Sequence, residues 1–218
     1  MKKWAAMILA LALLSCAALA EGSWYVEAGQ ALAARMQALA ADEAYIGLMG
    51  SGNEELIDVK DAFVGTDLSR PTAAWFLALP ERDEILSAIE RYAAMSGTMD
   101  ADAFAELSDA ARDELVRRLP GSVAGLLCGQ AGVGWIALSS LINAGEAREA
   151  PEDFRPGYLL LEYPGNVAVL ATFTQSLPGY VGVSTSPVPA DSLDRARPAL
   201  ATARQLGLSL ELEKIEVE

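Results

Sequence analysis

The chain has 218 residues, 52% of them hydrophobic, with 16 Lys and Arg against 30 Asp and Glu, a formal charge of −14 and no histidine. The charge balance argues against nucleic acid as a partner, because phosphate backbones are bound by basic faces. After the first residues, the only adjacent basic pair is Arg117-Arg118, with no aromatic side chain interleaved. The missing imidazole excludes Ser-His-Asp and Cys-His catalysis, histidine-ligated zinc and the commonest general base near neutral pH.

Residues 1–20 read as an export signal. Lys2 and Lys3 form a basic start, Trp4 to Leu14 an uncharged apolar run, and Ala18-Leu19-Ala20 a small-x-small cleavage site ahead of Glu21. The run is too short for a mature membrane span. Leu13-Leu14-Ser15-Cys16 partly matches a lipoprotein box, so a lipid anchor on Cys16 is the alternative; Leu14 stands where such boxes take a small or β-branched residue. Cleavage after Ala20 leaves Cys128 as the sole cysteine. An internal disulfide and a cysteine zinc cluster are thereby excluded, and Leu126 and Leu127 mark the thiol as a structural one in an apolar stretch. The remaining chain suffices for one good-sized domain or two small packed ones, burying roughly 70% of its unfolded surface.

Residues 21–145 read as a helical region. Tyr25, Ala28, Leu32, Met36 and Leu39 recur at three- and four-residue steps, on a helix that runs towards Met49 before Gly50-Ser51-Gly52 stops it. Asn53 is the N-cap of a second helix whose inward face is Leu56, Val59 and Phe63. Pro71 is expected to open a short apolar helix through Trp75, Phe76 and Leu77, ended by Pro80. Glu81 to Ser96 is the best amphipathic segment, with Ile85, Ile89 and Tyr92 inward and Gly97 as its stop. Further helical turns surround Phe104, Leu107, Leu115 and Leu119.

Pro120 to Ala144 carries no charge. Gly125, Gly129, Gly132, Gly134, Gln130, Ser139, Ser140 and Asn143 dilute it, and the flanking charges oppose the positive-inside bias, so the expectation is a core helix and no membrane span. Val123, Leu126, Ile136 and Leu141 should then be buried.

The segment 146–218 reads as β-β-β-α-β. Tyr158 to Tyr163, Val167 to Thr174 and Tyr180 to Ser186 form an antiparallel meander, joined by Tyr163-Pro164-Gly165-Asn166 and Leu177-Pro178-Gly179-Tyr180. Both joints place Pro then Gly where a type II turn needs them. Asp191 to Leu206 is a helix containing Pro198 and stopped by Gly207, and a last strand starts at Leu208. The fold class is therefore α+β, an N-terminal multi-helix region packed with a small, mostly antiparallel C-terminal sheet.

Motifs are few. Gly132-Val133-Gly134-Trp135-Ile136-Ala137 matches G-x-G-x-x-[G/A], but no strand-helix-strand unit surrounds it, so the glycines read as packing or helix-break positions. Asp100 and Asp102 begin like a calcium loop that Phe104, Ala105 and Ala111 then contradict, and helix capping accounts for both. Ser184-Thr185-Ser186 offers hydroxyls suited to a sugar or to an ordinary wet strand face. Among the many carboxylates, Glu43 near Tyr45 and Glu162 beside Tyr163 are the candidates for general acid or base work. No catalytic residue, cofactor site or metal site is assigned. The expectation is an exported, soluble, non-catalytic protein that binds an extracellular ligand or protein; the alternative is a carboxylate-dependent glycan hydrolase.

Overall fold

A computed structural model describes residues 24–50, 54–129 and 132–217. The segment expected to be an export signal, with Cys16 and Ala18-Leu19-Ala20, lies outside the described residues, as do Asn53 and the side chains of Leu126 and Cys128. The chain is α+β, with helices laid on both faces of a six-stranded antiparallel sheet of order β2-β5-β4-β3-β1-β6. The helices are α1 (24–41), α2 (Glu43–Gly50), α3 (Glu54–Val64), α4 (Arg82–Ser96), α5 (Ala101–Ala105), α6 (Asp109–Gly129), α7 (Val133–Leu141) and α8 (Ser192–Gln205). The strands are β1 (Ala73–Ala78), β2 (Ala144–Glu149), β3 (Gly157–Tyr163), β4 (Val167–Leu177), β5 (Tyr180–Val188) and β6 (Leu212–Ile215).

The meander β3-β4-β5 forms as expected, in the register Leu160↔Leu170 and Leu170↔Ser186. Gly165 and Gly179 sit at φ 78° and 79°, the left-handed region that the third position of a type II turn requires. The other strands differ from expectation. Pro71 opens no helix: Ala73–Ala78 is β1, between β3 and β6. A strand covered on both faces is apolar at every position, so Ala-Ala-Trp-Phe-Leu-Ala shows no alternation, and six residues is strand length. β2, at one sheet edge, straddles the division between the 21–145 and 146–218 regions, where no strand is expected, and its partner β5 supplies the structure that its composition does not. The last strand is confined to β6 and pairs with β1, outside the meander; Leu208 and Leu210 are buried but lie before it.

Residues alternate between the two faces. On the first lie Ala74, Phe76, Leu159, Leu161, Val169, Ala171, Phe173, Val181 and Val183, packed against Tyr25, Leu32 and Met36 of α1, Leu56 and Phe63 of α3 and Trp135 and Leu138 of α7. α1 approaches closely: a Cβ on Gly29 would stand 3.0 Å from Leu161 Cδ1. Tyr25 meets Phe173 edge-on at 4.9 Å between ring centroids, a contact worth about 0.5–1.5 kcal/mol beyond its buried area. On the second face Leu77, Tyr158, Leu160, Ala168, Leu170 and Val188 pack against Ile85 and Ala88 of α4, Val123 of α6 and Leu193, Ala196 and Leu200 of α8.

Several helices also depart in detail. The first ends at residue 41, because Asp42 Oδ1 accepts from the backbone N–H groups of Ala44 and Tyr45 and so starts α2. Its inward stripe ends on Ala40 with Leu39 exposed, since an α-helix keeps face after four residues here better than after three. α4 ends as expected at Gly97 (φ 68°), where Thr98 N–H bonds Ala93 O, but Tyr92 is 58% exposed. The charge-free stretch forms no single buried helix. It is divided between α6 and α7, with Val123 buried, Leu141 half-buried and Ile136 46% exposed. Among the described residues no helix is long and apolar enough to cross a membrane.

Candidate ligand-binding groove

The second face is only partly covered. From β1 towards β2, one cross-strand row reads Leu77, Tyr158, Thr172, Ser184, Gly145, and the next continues through Thr174, Gly182 and Ala147. Leu77 and Tyr158 are buried, Thr172, Thr174 and Gly182 half-buried, and Ser184, Gly145 and Ala147 exposed. The sheet thus passes from beneath the helices onto an open ledge of small and hydroxyl-bearing side chains.

A groove of about 430 Å³ lies where the covering helices give way. Leu79 N–H donates to Pro156 O at 2.8 Å, which holds the end of β1 beside the start of β3. Pro80 turns the chain into α4, whose first inward residue is Ile85, and α6 crosses above with Val116. Leu79, Pro80, Ile85, Val116 and Pro156 form apolar walls; Arg82, Arg117, Thr174 and Gln175 form the rim. Such a mix, mostly apolar with a few convergent polar groups, is what small-molecule sites share.

The rim cations are held in place. Arg82 donates from Nε (2.9 Å) and Nη2 (2.7 Å) to Asp113 Oδ1 and from Nη1 (3.3 Å) to Asp83 Oδ1, and the Asp113 bond raises the guanidinium pKa further. Arg117 pairs with Glu114, whose Oε1 also takes a bond from Arg118 Nε at 2.8 Å. Exposed pairs of this kind add little stability, so their consequence is orientation. Among the described residues no carboxylate lines the groove itself.

The side chains singled out from sequence are scattered. Glu43 is exposed at the start of α2, over the first face, with Tyr45 Oη donating to Leu141 O at 2.8 Å. Glu162 lies on the second face in β3, whereas its neighbour Tyr163 is in the first core. The two acids are therefore separated by the sheet and form no pair across a cleft. Burial pushes the Glu162 carboxyl up; the Trp75 indole, Arg197 and Lys214 pull it down, and Asp194 pushes it up. The Trp75 Nε1–H is buried without a hydrogen bond of ordinary geometry, and the Lys214 ammonium stands 5.8 Å from the indole centroid.

In the hydroxyl tract the strand alternation separates the three residues: Thr185 is buried on the first face, its Oγ1 donating to Ala144 O at 3.3 Å, and only Ser184 and Ser186 belong to the second. Gly132 caps α7, which follows α6 and precedes an antiparallel strand, so no dinucleotide unit exists around it. Gly134 is a packing glycine, since a Cβ there would lie 2.4 Å from Glu55 O. Asp100 Oδ1 caps α5 by accepting from Ala103 N–H at 2.8 Å. Among the described residues no group of three or more Cys, Asp or Glu is placed to hold a metal ion.

Sequence reasoning missed the groove because its walls come from separate segments and share no motif. One local signal exists: Thr174-Gln175-Ser176 is polar on both faces, marking where β4 outruns the core. Comparison with family models, curated proteins and solved structures gives no match.

Proposed function

We infer that this chain is an exported, non-catalytic binding protein whose ligand site is the groove between α4, α6 and the end of β4. The groove carries the reading: its apolar walls suit a ligand with an apolar body, and two guanidinium groups with Thr174 and Gln175 suit a polar or anionic end. The residue 1–20 leader supports placement outside the cytoplasm. N-terminal sequencing of exported material should begin at Glu21; a lipid-modified product beginning at Cys16 would instead put the site at a membrane face.

Titration with anilinonaphthalene sulfonate, a fluorescent amphipathic anion, tests the groove. Saturable one-to-one binding is expected for the native fold, weakened on the order of tenfold by Val116→Glu, which places an acid on the apolar wall. Absence of saturable binding, or equal binding by a folded V116E variant, would overturn the assignment. The rival reading, a glycan hydrolase, draws on the raised Glu162 carboxyl beside Trp75. It requires glycan-cleaving activity that Glu162→Gln abolishes.

A further inference from the structure

We propose that the free edge of β2 pairs antiparallel with β2 of a second copy of this chain, about a two-fold axis passing through Ala147. β2 is a terminal strand, and among the described residues no strand occupies its outer side. An unpaired edge presents a row of backbone donors and acceptors, and natural edges are commonly guarded by charge. Here the guard is self-complementary. Glu146-Ala147-Arg148 has opposite charges one place either side of its centre, and both side chains lie on the first face of the sheet, 24% and 29% exposed.

Two-fold symmetry restricts the options. The axis must stand perpendicular to the sheet and pass through a residue, so that each face of one copy continues into the same face of the other. Centred on Ala147, the register sets Glu146 opposite the partner's Arg148 and Arg148 opposite the partner's Glu146. Gly145 then faces the partner's Glu149 with room to spare, and Ala147 meets the partner's Ala147 on the open ledge. Centred one residue earlier, Glu146 opposes the partner's Glu146; one residue later, Arg148 opposes the partner's Arg148. Cross-strand charge pairs of opposite sign stabilise and like pairs destabilise, so the sequence selects one register and rejects its neighbours.

Within one chain Glu146 already contacts Arg148 and lies 3.3 Å from Arg35 Nη1 on α1. The partner's Arg148 therefore joins a carboxylate already positioned for it, and little side-chain freedom remains to be lost. The outcome is one continuous sheet made from two six-stranded halves, with both ledges merged on the same side. Each groove would open onto that shared surface.

Sedimentation of the exported chain across a wide concentration range supplies the test. A dimer is expected. Glu146→Arg and Arg148→Glu, made singly, each replace two attractive cross-strand pairs by two repulsive ones and should raise the dissociation constant at least about tenfold. The double swap E146R/R148E restores opposite charges in the same register and should bring the constant back to within a few-fold of the original. Circular dichroism confirms that each variant is folded. A chain that stays monomeric at high concentration, a dimer indifferent to the single reversals, or single-variant losses that the double swap fails to recover would each overturn the proposal.

Discussion

The two faces of the central sheet are built from the same strands and reach opposite ends. On the first face the apolar rows continue from β1 across to Ala144 in β2, and α1, α3 and α7 close over them. On the second the apolar side chains reach β5 only at Val188, and Thr172, Thr174, Gly182 and Ser184 are left half-buried or exposed. One face spends its side chains on the core, where close packing governs stability. The other leaves part of the sheet wet and creates a groove at the boundary. The lesson is that a groove can arise from withholding a helix layer as well as from adding a loop.

The sharpest way to break this comparison uses neighbouring residues of β4. Phe173→Ala empties a site buried against Trp24 and Tyr25 on the first face and should destabilise by about 3–5 kcal/mol. Thr172→Ala, one residue away on the second face, should stay within about 0.5 kcal/mol. Denaturant unfolding of both variants reads the difference, and comparable losses would show that the second face is packed as tightly as the first. Glycines extend the same contrast to the helices. Gly134→Ala drives a Cβ into Glu55 O and should lower stability by about 1–3 kcal/mol, seen as an earlier unfolding midpoint. Gly125→Ala on α6 meets nothing within 4 Å and should raise stability by up to about 1 kcal/mol through helix propensity.

Those contrasts also explain what could be read from the chain alone. The meander was legible because β5 and the Ala171 to Thr174 part of β4 alternate and because Pro-Gly fixes both turns. α4 and α8 were legible because Gly97 and Gly207 end them at φ 68° and 89°. β1 was hidden by its own burial, since a strand covered on both faces loses the period-two signal that identifies it. β2 was hidden for the converse reason: Ala144–Glu149 has weak strand propensity, and only pairing with β5 makes it a strand. Ile136 was misplaced because an uncharged helix need not be buried all round; Trp135 and Leu138 face the core while Val133 and Ile136 face out. The groove required knowing that residues 79, 116, 156 and 174 meet, a matter of topology that no local pattern carries.

The smallest and last contrast is electrostatic, and its two arms have opposite signs. Glu213 lies on the first face opposite Phe76, where Arg155 donates from Nη1 to Oε1 at 3.0 Å and from Nη2 to Oε2 at 3.1 Å, holding the carboxyl below its usual range. Its folded form binds fewer protons than its unfolded form, so it stabilises above the ordinary glutamate pKa and loses that contribution as pH falls through the lowered value. Glu162, on the second face, is raised by burial. Its folded form takes up a proton first, so its charge destabilises at neutral pH and the penalty is relieved as pH falls through the raised value. Acidification from pH 7 should therefore show a slight gain from Glu162 before the loss from Glu213. Both groups are partly solvated, so after allowance for screening each effect should stay under about 1 kcal/mol. Unfolding midpoints from pH 8 to 3 should lose the early gain in Glu162→Gln and soften the later fall in Glu213→Gln. With no histidine in the chain, the interval from about pH 6 to 8 should be nearly flat in both. Shifts of the same sign in the two variants would show that burial of Glu162 is outweighed by Arg197 and Lys214, and would remove this electrostatic difference between the faces.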